Sequence, residues 1–532
     1  MQQIGVYAGL GGGQAILMFL FAVSISIFGT RASKVMLKRA MFKVLRAPMS
    51  FFDTTPLGRI TNRFSKDIDV MDNNLTESLR MYLLMLGQII STIALILAYY
   101  YYFVAAMVPL MLAFVFAAYY YRASAREIKR HEAILRSHVF AKFSEAVCGT
   151  STIRAYGVQD HFLKTIRQTI DEFDGAYFLT FSNQRWLSLR LDAIGLVMIF
   201  VLGMLVVTSR FTVNPSTGGL VLSYMISIMG MFQFAVRQMA EVENDMNNTE
   251  RIHHYGTGLE EEAPLNVGQV PAEWPQHGNI VLDHVQLRYR AGLPLVLKDI
   301  SIDIKGGERL GVVGRTGAGK SSIMQALFRL VELSGGSITI DGLNISKLGL
   351  HDLRSRLAII PQDPTLFKGT IRSNLDPFNK HTDAELWSAL RKADLASESG
   401  EGGIDLETVV EEEGLNFSLG QRQLMALARA LVRDAKIIIC DEATSSVDFA
   451  TDQKVQRTME AFRGKTLLCI AHRLKTIIGY DRICVMDQGY VAELGTPLEL
   501  YDQGGIFTSM CEKSGIRRED ILEKAADSVH KS

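Results

Sequence analysis

The first half of the chain is patterned by long stretches without charge. Residues 4–28 hold no charged side chain, and about 20 apolar residues suffice for a helix to cross a bilayer core of roughly 30 Å. Residues 81–121 are again free of charge and are about twice the length one crossing needs. The tyrosine cluster Tyr99, Tyr100, Tyr101 and Tyr102 at the middle of that stretch predicts two spans joined by a tight turn, with the tyrosines at headgroup level. A fourth span is predicted at about residues 186–208 and a fifth at about 218–236, separated by the turn-forming run Asn214-Pro215-Ser216-Thr217-Gly218-Gly219.

Charge placement orients these spans. Residues 31–80 and 122–190 are rich in Lys and Arg, whereas the connectors at residues 99–102 and 209–217 share a single Arg. Positive-inside puts the two basic connectors and everything after Val236 in the cytosol. Five spans with a cytosolic C-terminus place the first residue outside, so the sequence reads as part of a longer polypeptide with at least one earlier span. The basic connectors exceed ordinary loop lengths and carry a helical period: Val35, Leu37, Met41, Val44 and Leu45, then a break at residues 48–56, then Ile60, Phe64, Ile68 and Met71. In the second connector, residues 126–147 and 159–174 flank a break at 149–157. Each is expected to be a helical hairpin that turns below the membrane around a short non-helical tip.

Composition agrees with a membrane protein. The 532 residues are 48% apolar and 21% charged, with a mean hydropathy of +0.14. The 56 basic and 56 acidic residues cancel, so no basic excess points to nucleic acid. Five scattered cysteines form neither a disulfide framework nor a metal-ligand spacing, and they read as reduced cytosolic thiols.

Residues 258–277 carry an acidic run and three prolines, which predicts a solvated linker between a domain at 1–257 and another at 278–532. In the second domain the pattern becomes short Val/Ile/Leu strands alternating with helices, as in a parallel α/β fold. Residues 310–313 run into Gly314-Arg315-Thr316-Gly317-Ala318-Gly319-Lys320-Ser321-Ser322, followed by an apolar helix. This is the phosphate-cradling loop G-x-x-x-x-G-K-[ST]: backbone N–H groups meet phosphate oxygens, Lys320 reaches the β/γ-phosphates and the Ser321 hydroxyl suits Mg²⁺. Farther on, the apolar run 437–440 ends in Asp441-Glu442, where one acid can hold Mg²⁺ through water and the other can polarise an attacking water. Between these motifs lies Phe417-Ser418-Leu419-Gly420-Gln421-Arg422-Gln423, opening a helix whose N-terminus favours an anion.

The ordered set of P-loop, Gln362 in Pro361-Gln362-Asp363, Ser418–Gln421, Asp441-Glu442, Ser446-Val447-Asp448 and His472 resembles the nucleotide-binding domain of an ATP-binding cassette (ABC) transporter. The preceding half is similar to the membrane domain of exporter-type members, which have six spans per half and coupling helices at such hairpin tips. The implied fold is an α-helical transmembrane exporter domain, with five visible spans of a six-span unit, plus an α/β P-loop ABC ATPase domain. Residues 46–59, Ile360-Pro361-Gln362-Asp363-Pro364 and Asn374-Leu375-Asp376-Pro377-Phe378 resemble the C, or multidrug-resistance-associated, subfamily. Asp72-Asn73, residues 243–247, 290–294 and 410–414 look most like fungal oligomycin-resistance permeases.

The resemblance implies ATP and Mg²⁺ as cofactors. It implies that Tyr289 stacks on adenine, that Gln362 senses Mg²⁺ and the γ-phosphate, that Glu442 is the general base, that His472 contacts the γ-phosphate, and that Asp448 lies in the D-loop. A plain strand aromatic is the other reading of Tyr289, and Cys440 reads as a small apolar filler. One position departs from the family: Leu419 stands where the signature has Gly. The signature Ser418-Leu419-Gly420-Gln421 completes a partner domain's ATP site, so two unequal sites are expected, with hydrolysis mainly at the one using this chain's P-loop. Arg190 and Arg237 match positions that help bind anionic substrates in the subfamily, and Phe234 stands where relatives often have Trp, whereas Arg185 reads as an interfacial anchor. The implied activity is efflux of amphipathic drugs and organic anions with a first half of the transporter, at the plasma membrane or, second, the vacuolar membrane. An ATP-gated channel or a channel regulator is the alternative that the same subfamily offers.

Overall fold

The computed structural model describes residues 2–209, 213–268, 270–271, 273–396, 404–441, 449–471 and 473–530. The chain divides into two compact units, residues 1–46 with 55–260, and residues 47–54 with 261–532.

Among the described residues the first unit has five helical runs long and apolar enough to cross a membrane: Gln2–Leu45, Leu57–Tyr99, Tyr101–Cys148, Gln159–Thr208 and Pro215–Thr257. At 1.5 Å per residue each is about 65–75 Å long, twice the bilayer core, so the spans and the amphipathic connector segments are continuous rods. Tyr99 ends one rod and Val104 resumes the next across a single 3₁₀ turn at Tyr101–Phe103, as the tyrosine cluster predicts. Tyr100 and Phe103 are buried there, while Tyr99, Tyr101 and Tyr102 stay exposed. The expectation of non-helical hairpin tips is corrected: Met49–Thr54 and Thr150–Tyr156 are short helices. Pro48 precedes the first without blocking it, because a proline ahead of a helix sacrifices no intrahelical bond. Gly157 closes the second at φ +67°, a left-handed position glycine adopts without Cβ strain.

The rods meet along a thin apolar seam of Ile89, Ile96, Phe103, Met198, Leu202, Val221, Met225 and Ile228. Gly195 lets two of them close in, since a Cβ there would lie 2.7 Å from Met229 Cγ. Between Leu57 and Tyr99 two π-helical turns, Arg63–Asp67 and Val70–Asn74, interrupt the α-helical pitch. The first holds an Arg63–Asp67 ion pair at 2.6 Å.

The second unit is built on a ten-stranded sheet with order β5-β4-β1-β2-β12-β11-β3-β10-β9-β6 among the described residues. Its strands are β1 (Ile280–Leu287), β2 (Leu297–Ile304), β3 (Arg309–Gly314), β4 (Gly335–Ile340), β5 (Leu343–Asn344), β6 (Leu357–Ile360), β9 (Ile437–Asp441), β10 (Thr466–Ile470), β11 (Arg482–Asp487) and β12 (Tyr490–Gly495), while β7 (Gly369–Thr370) and β8 (Val409–Val410) pair separately. β11, β3, β10, β9 and β6 run parallel. All five residues of β9 and of β10 are buried, which is why those strands read as unbroken apolar runs, with helices covering both faces of the sheet.

The stretch expected to be a solvated linker keeps most of its described residues exposed and is fastened to this unit at a few points. Arg354 forms a bidentate ion pair with Glu262 at 2.8 Å, Leu350 and His351 donate backbone N–H groups to the carbonyls of Pro264 and Leu265, and buried Trp274 donates its indole N–H to Ile340 at 2.9 Å. Proline and acid content signals the lack of regular structure but not whether the segment packs, which depends on cross-chain partners.

Candidate functional site

Parallel register gathers the nucleotide motifs at one edge. Val312 of β3 pairs with Ile470 of β10, Ile470 with Asp441 of β9, and Cys440 with Ile360 of β6. The carboxyl ends of four neighbouring strands therefore lie side by side, the place where open α/β sheets bind ligands. β3 delivers the P-loop, β6 leads to Gln362 and β9 ends in Asp441. His472 follows two residues after β10, and it lies outside the described residues, as do Glu442, Ser446, Val447 and Asp448.

The P-loop glycines are needed for shape. Gly314, Gly317 and Gly319 sit at φ +150°, +83° and +99°, and a Cβ on Gly314 would lie 2.3 Å from the Met486 carbonyl oxygen. Helix Lys320–Leu327 begins directly at the loop, so its free N–H groups and dipole face the concavity occupied by loop residues Arg315, Thr316 and Ala318. Lys320 is buried, with its ammonium donating to the loop carbonyls of Gly314 and Arg315 at 3.0 and 3.3 Å. The Ser321 hydroxyl donates to Asp441 Oδ1 at 3.3 Å. A hydroxyl and a buried carboxylate converging on one point form the hard oxygen donor set that Mg²⁺ takes, alongside water and phosphate oxygens. Ser321 and Asp441, with Gln362, would hold that ion, which supplies charge neutralisation to bound phosphates.

Tyr289 lies just beyond β1, half-buried, with its hydroxyl 2.8 Å from Ser322 Oγ. The contact ties the expected adenine platform to the first turn of the P-loop helix. Ser418 caps helix Leu419–Arg433: its hydroxyl accepts from the Gln421 N–H at 3.2 Å, and Gln421 Oε1 accepts from the Ser418 N–H at 2.9 Å. The signature is thus a capping box whose first residues Leu419 and Gly420 form the helix start.

Gln423 ends the signature stretch read from the sequence, which gave it no role of its own. It is buried, and its amide donates to the backbone carbonyl of Gln362. Arg429, two turns on, donates to the carbonyls of Asn374 and Thr365 at 2.9 and 2.8 Å. Two side chains of the signature helix therefore hold the backbone at Gln362 and Thr365. A polar residue recurring inside an otherwise apolar helix face was the available signal. Cys440 is the buried filler it was expected to be, paired in register with Ile360 on one side and with Cys469 on the other.

In the helical unit Arg190 lies over the Trp186 ring at 4.3 Å and Arg237 over the Phe234 ring at 6.0 Å. Each cation is thus held by an aromatic one turn away on its own helix. On the same two helices, Gln233 donates to Asp192. Asp192 was missed, although an acid within a predicted span is a signal in its own right.

With fold and site in place, the comparisons with known proteins agree. Residues 3–235 match the model of the ABC transporter transmembrane region, and residues 297–445 match the ABC transporter model. The chain belongs to the ABC transporters, as an integral membrane domain followed by the family's ATP-hydrolysing domain, and its relatives place it with the C subfamily. It is 65% identical to the ABC-type transporter cicA of Emericella nidulans over 98% of this chain and 39% of that protein. It is 47% identical to the oligomycin resistance ATP-dependent permease YOR1 of Saccharomyces cerevisiae over 93% and 35%, and 43% identical to ATP-binding cassette sub-family C member 2 of Mus musculus over 97% and 33%. The chain spans about a third to two fifths of the length of these curated relatives.

Proposed function

We propose that this chain is one half of an ATP-driven exporter of amphipathic drugs and organic anions, working with a first half that supplies a second membrane domain and a second ATPase domain, in the plasma membrane with the ATPase domain in the cytosol. The observation that carries this reading is the meeting of Ser321 and Asp441 at the mouth of a glycine-shaped P-loop, in a chain whose relatives include a named drug-resistance permease. In this reading Lys320 and the loop N–H groups hold the phosphates, Glu442 takes the proton of the attacking water, and His472 and Gln362 contact the γ-phosphate side. Tyr289 supports the base. The partner's signature closes over this site, while Ser418, Leu419, Gly420 and Gln421 close over the partner's. Leu419 makes that second site the weaker hydrolase. Arg190, Arg237 and Phe234 line the substrate path.

The test is ATPase activity of the assembled transporter in lipid, with and without amphipathic drugs, for wild type and Glu442→Gln. General-base assistance contributes roughly 10²- to 10⁴-fold, so drug-stimulated turnover should collapse in the variant while ATP binding persists. Unchanged turnover in Glu442→Gln overturns the catalytic assignment. Activity indifferent to every drug, with ion conductance that follows ATP, overturns the pump.

A further inference from the structure

A cavity in the helical unit has no part in the reading above. It has a volume of about 520 Å³ and lies between helices Val104–Cys148, Gln159–Thr208 and Pro215–Thr257. Five cations line it: Arg122, Arg126, Lys129, Arg130 and Arg251, against the two acids Glu241 and Glu243. Glu243 is already engaged by Arg122 at 2.6 Å. Of the carboxylates just outside the wall, Glu132 is held by Lys129, Arg136 and Thr180, and Glu127 lies 3.2 Å from Arg130 and 4.0 Å from Arg126. The wall therefore keeps a net positive charge. Positive-inside accounts for basic residues below a membrane, but not for the neutral amides that converge with them, Asn183, Gln184, Asn244 and Asn247, which present N–H donors to phosphate or hydroxyl oxygens.

The vertical arrangement narrows the ligand. The charge-free run of residues 81–121 ends at Tyr121, and Arg122, Arg126, Lys129 and Arg130 follow at helical spacing. Directly above them on the same helix, Val115, Phe116 and Tyr119 are exposed, a surface for hydrocarbon chains. From Arg122 to Arg130 the helix descends about 12 Å, while the headgroup layer is only about 5–8 Å deep on each side. The lower cations are thus beyond the reach of a simple phosphodiester at the interface. A headgroup bearing further phosphates on a ring reaches them, and basic pockets between helices on the cytoplasmic side suit such lipids.

We propose that this cavity binds the multiply phosphorylated headgroup of an inner-leaflet lipid, with Arg126, Lys129 and Arg251 on the phosphates and the acyl chains along Val115, Phe116 and Tyr119. The site rests on the cytosolic placement of these helices and not on the identity of the exported substrate.

The experiment uses the assembled transporter in phosphatidylcholine nanodiscs doped with fluorescent phosphatidylinositol bisphosphate. Phosphatidylserine at matched total charge, and soluble inositol trisphosphate without the lipid, form the comparison arms. Arg126→Ala with Arg251→Ala leaves the buried Glu132 cluster intact and should weaken lipid binding about 30-fold, at roughly fivefold per cation near the surface. Asn247→Asp, which adds an acid to the wall, should weaken it too, whereas Lys142→Ala on the same helix outside the cavity should not. Basal ATPase activity confirms that each variant is folded. Equal binding by wild type and both cavity variants overturns the site. So does full displacement by phosphatidylserine at equal charge, which would mean surface potential alone, and so does inositol trisphosphate binding as tightly as the lipid, which would mean a soluble ligand.

Discussion

The two units use apolar sequence in opposite ways. In β9, Ile437, Ile438, Ile439 and Cys440 are each at most 1% exposed, sealed between two layers of helix. In the first helix, Leu17, Phe19 and Phe28 are 67–68% exposed, and none of the apolar window of that helix is buried by the rest of the chain. One stretch is apolar because protein surrounds it, the other because lipid does. Hydrophobicity along the chain therefore reports the solvent a segment faces, and only the tertiary structure says whether that solvent is the protein itself. In the ATPase unit burial supplies stability and the polar groups supply chemistry. In the helical unit lipid surrounds most of the apolar surface without distinguishing one helix partner from another, so close packing at positions such as Gly195 and polar links such as Asp192 with Gln233 carry the specificity.

The contrast is broken most severely by truncating one side chain from each unit. Ile439→Ala should destabilise the ATPase unit by about 2–5 kcal/mol, because the sheet cannot collapse into the space left. Phe19→Ala should stay within about 0.5 kcal/mol, since no packed neighbour is lost. Thermal unfolding of the lipid-reconstituted transporter, read through ATPase inactivation for the first and helix content for the second, separates them, and equal costs would refute the comparison.

A smaller effect tests polar fastening in the ATPase unit. Asp341 accepts the backbone N–H groups of His277, Gly278 and Asn279 at 3.0, 3.1 and 2.8 Å. Burial pushes its carboxyl pKa up, but the bonds from Gly278, Asn279, His277 and Gln276 outweigh that and hold it below the ordinary value. A lowered folded pKa contributes stability that is fully present above the unfolded value near 4 and is lost as pH falls through the folded value. Asp341→Asn keeps a side chain that tolerates the observed φ of +46°. It should cost about 1 kcal/mol at neutral pH and make the acid limb of the stability profile shallower. An unchanged acid limb would show that this carboxylate is not what fastens residues 277–279.

The smallest effect sharpens the helical side. A double-mutant cycle over Asp192→Leu and Gln233→Leu should give a coupling of about 0.6 kcal/mol, the average for interhelical hydrogen bonds in membranes. Thermal inactivation of the reconstituted transporter measures it. A coupling near zero would leave close packing alone to hold those two helices.

Much of this architecture was legible beforehand because the relevant signals are local. Charge-free length marked the spans, and Gly314 to Ser322 marked the phosphate loop from spacing alone. The hairpin tips were misjudged because Pro48 and Pro56 at the first, and Gly149 and Gly157 at the second, read as helix breakers, although each lies just outside the short helix that its pair frames. The linker's fastenings were not legible because Glu262 and Trp274 show nothing in sequence of Arg354 and the Ile340 carbonyl, 92 and 66 residues away.

The sequence by itself determined which segments are long and apolar enough to cross a bilayer, where a nucleotide's phosphates can be cradled, and which residue types stand ready beside them, since all three are read from continuous local stretches of chain. Only the tertiary structure decided that Ser321 and Asp441 share one point, that Gln423 bonds the backbone of Gln362, that Asp192 links two spans, and that Arg251 joins the cations of residues 122–130 around one cavity. The first three contacts join residues 41 to 120 positions apart. They are set by strand register and by the angles at which helices pack, which no local period encodes.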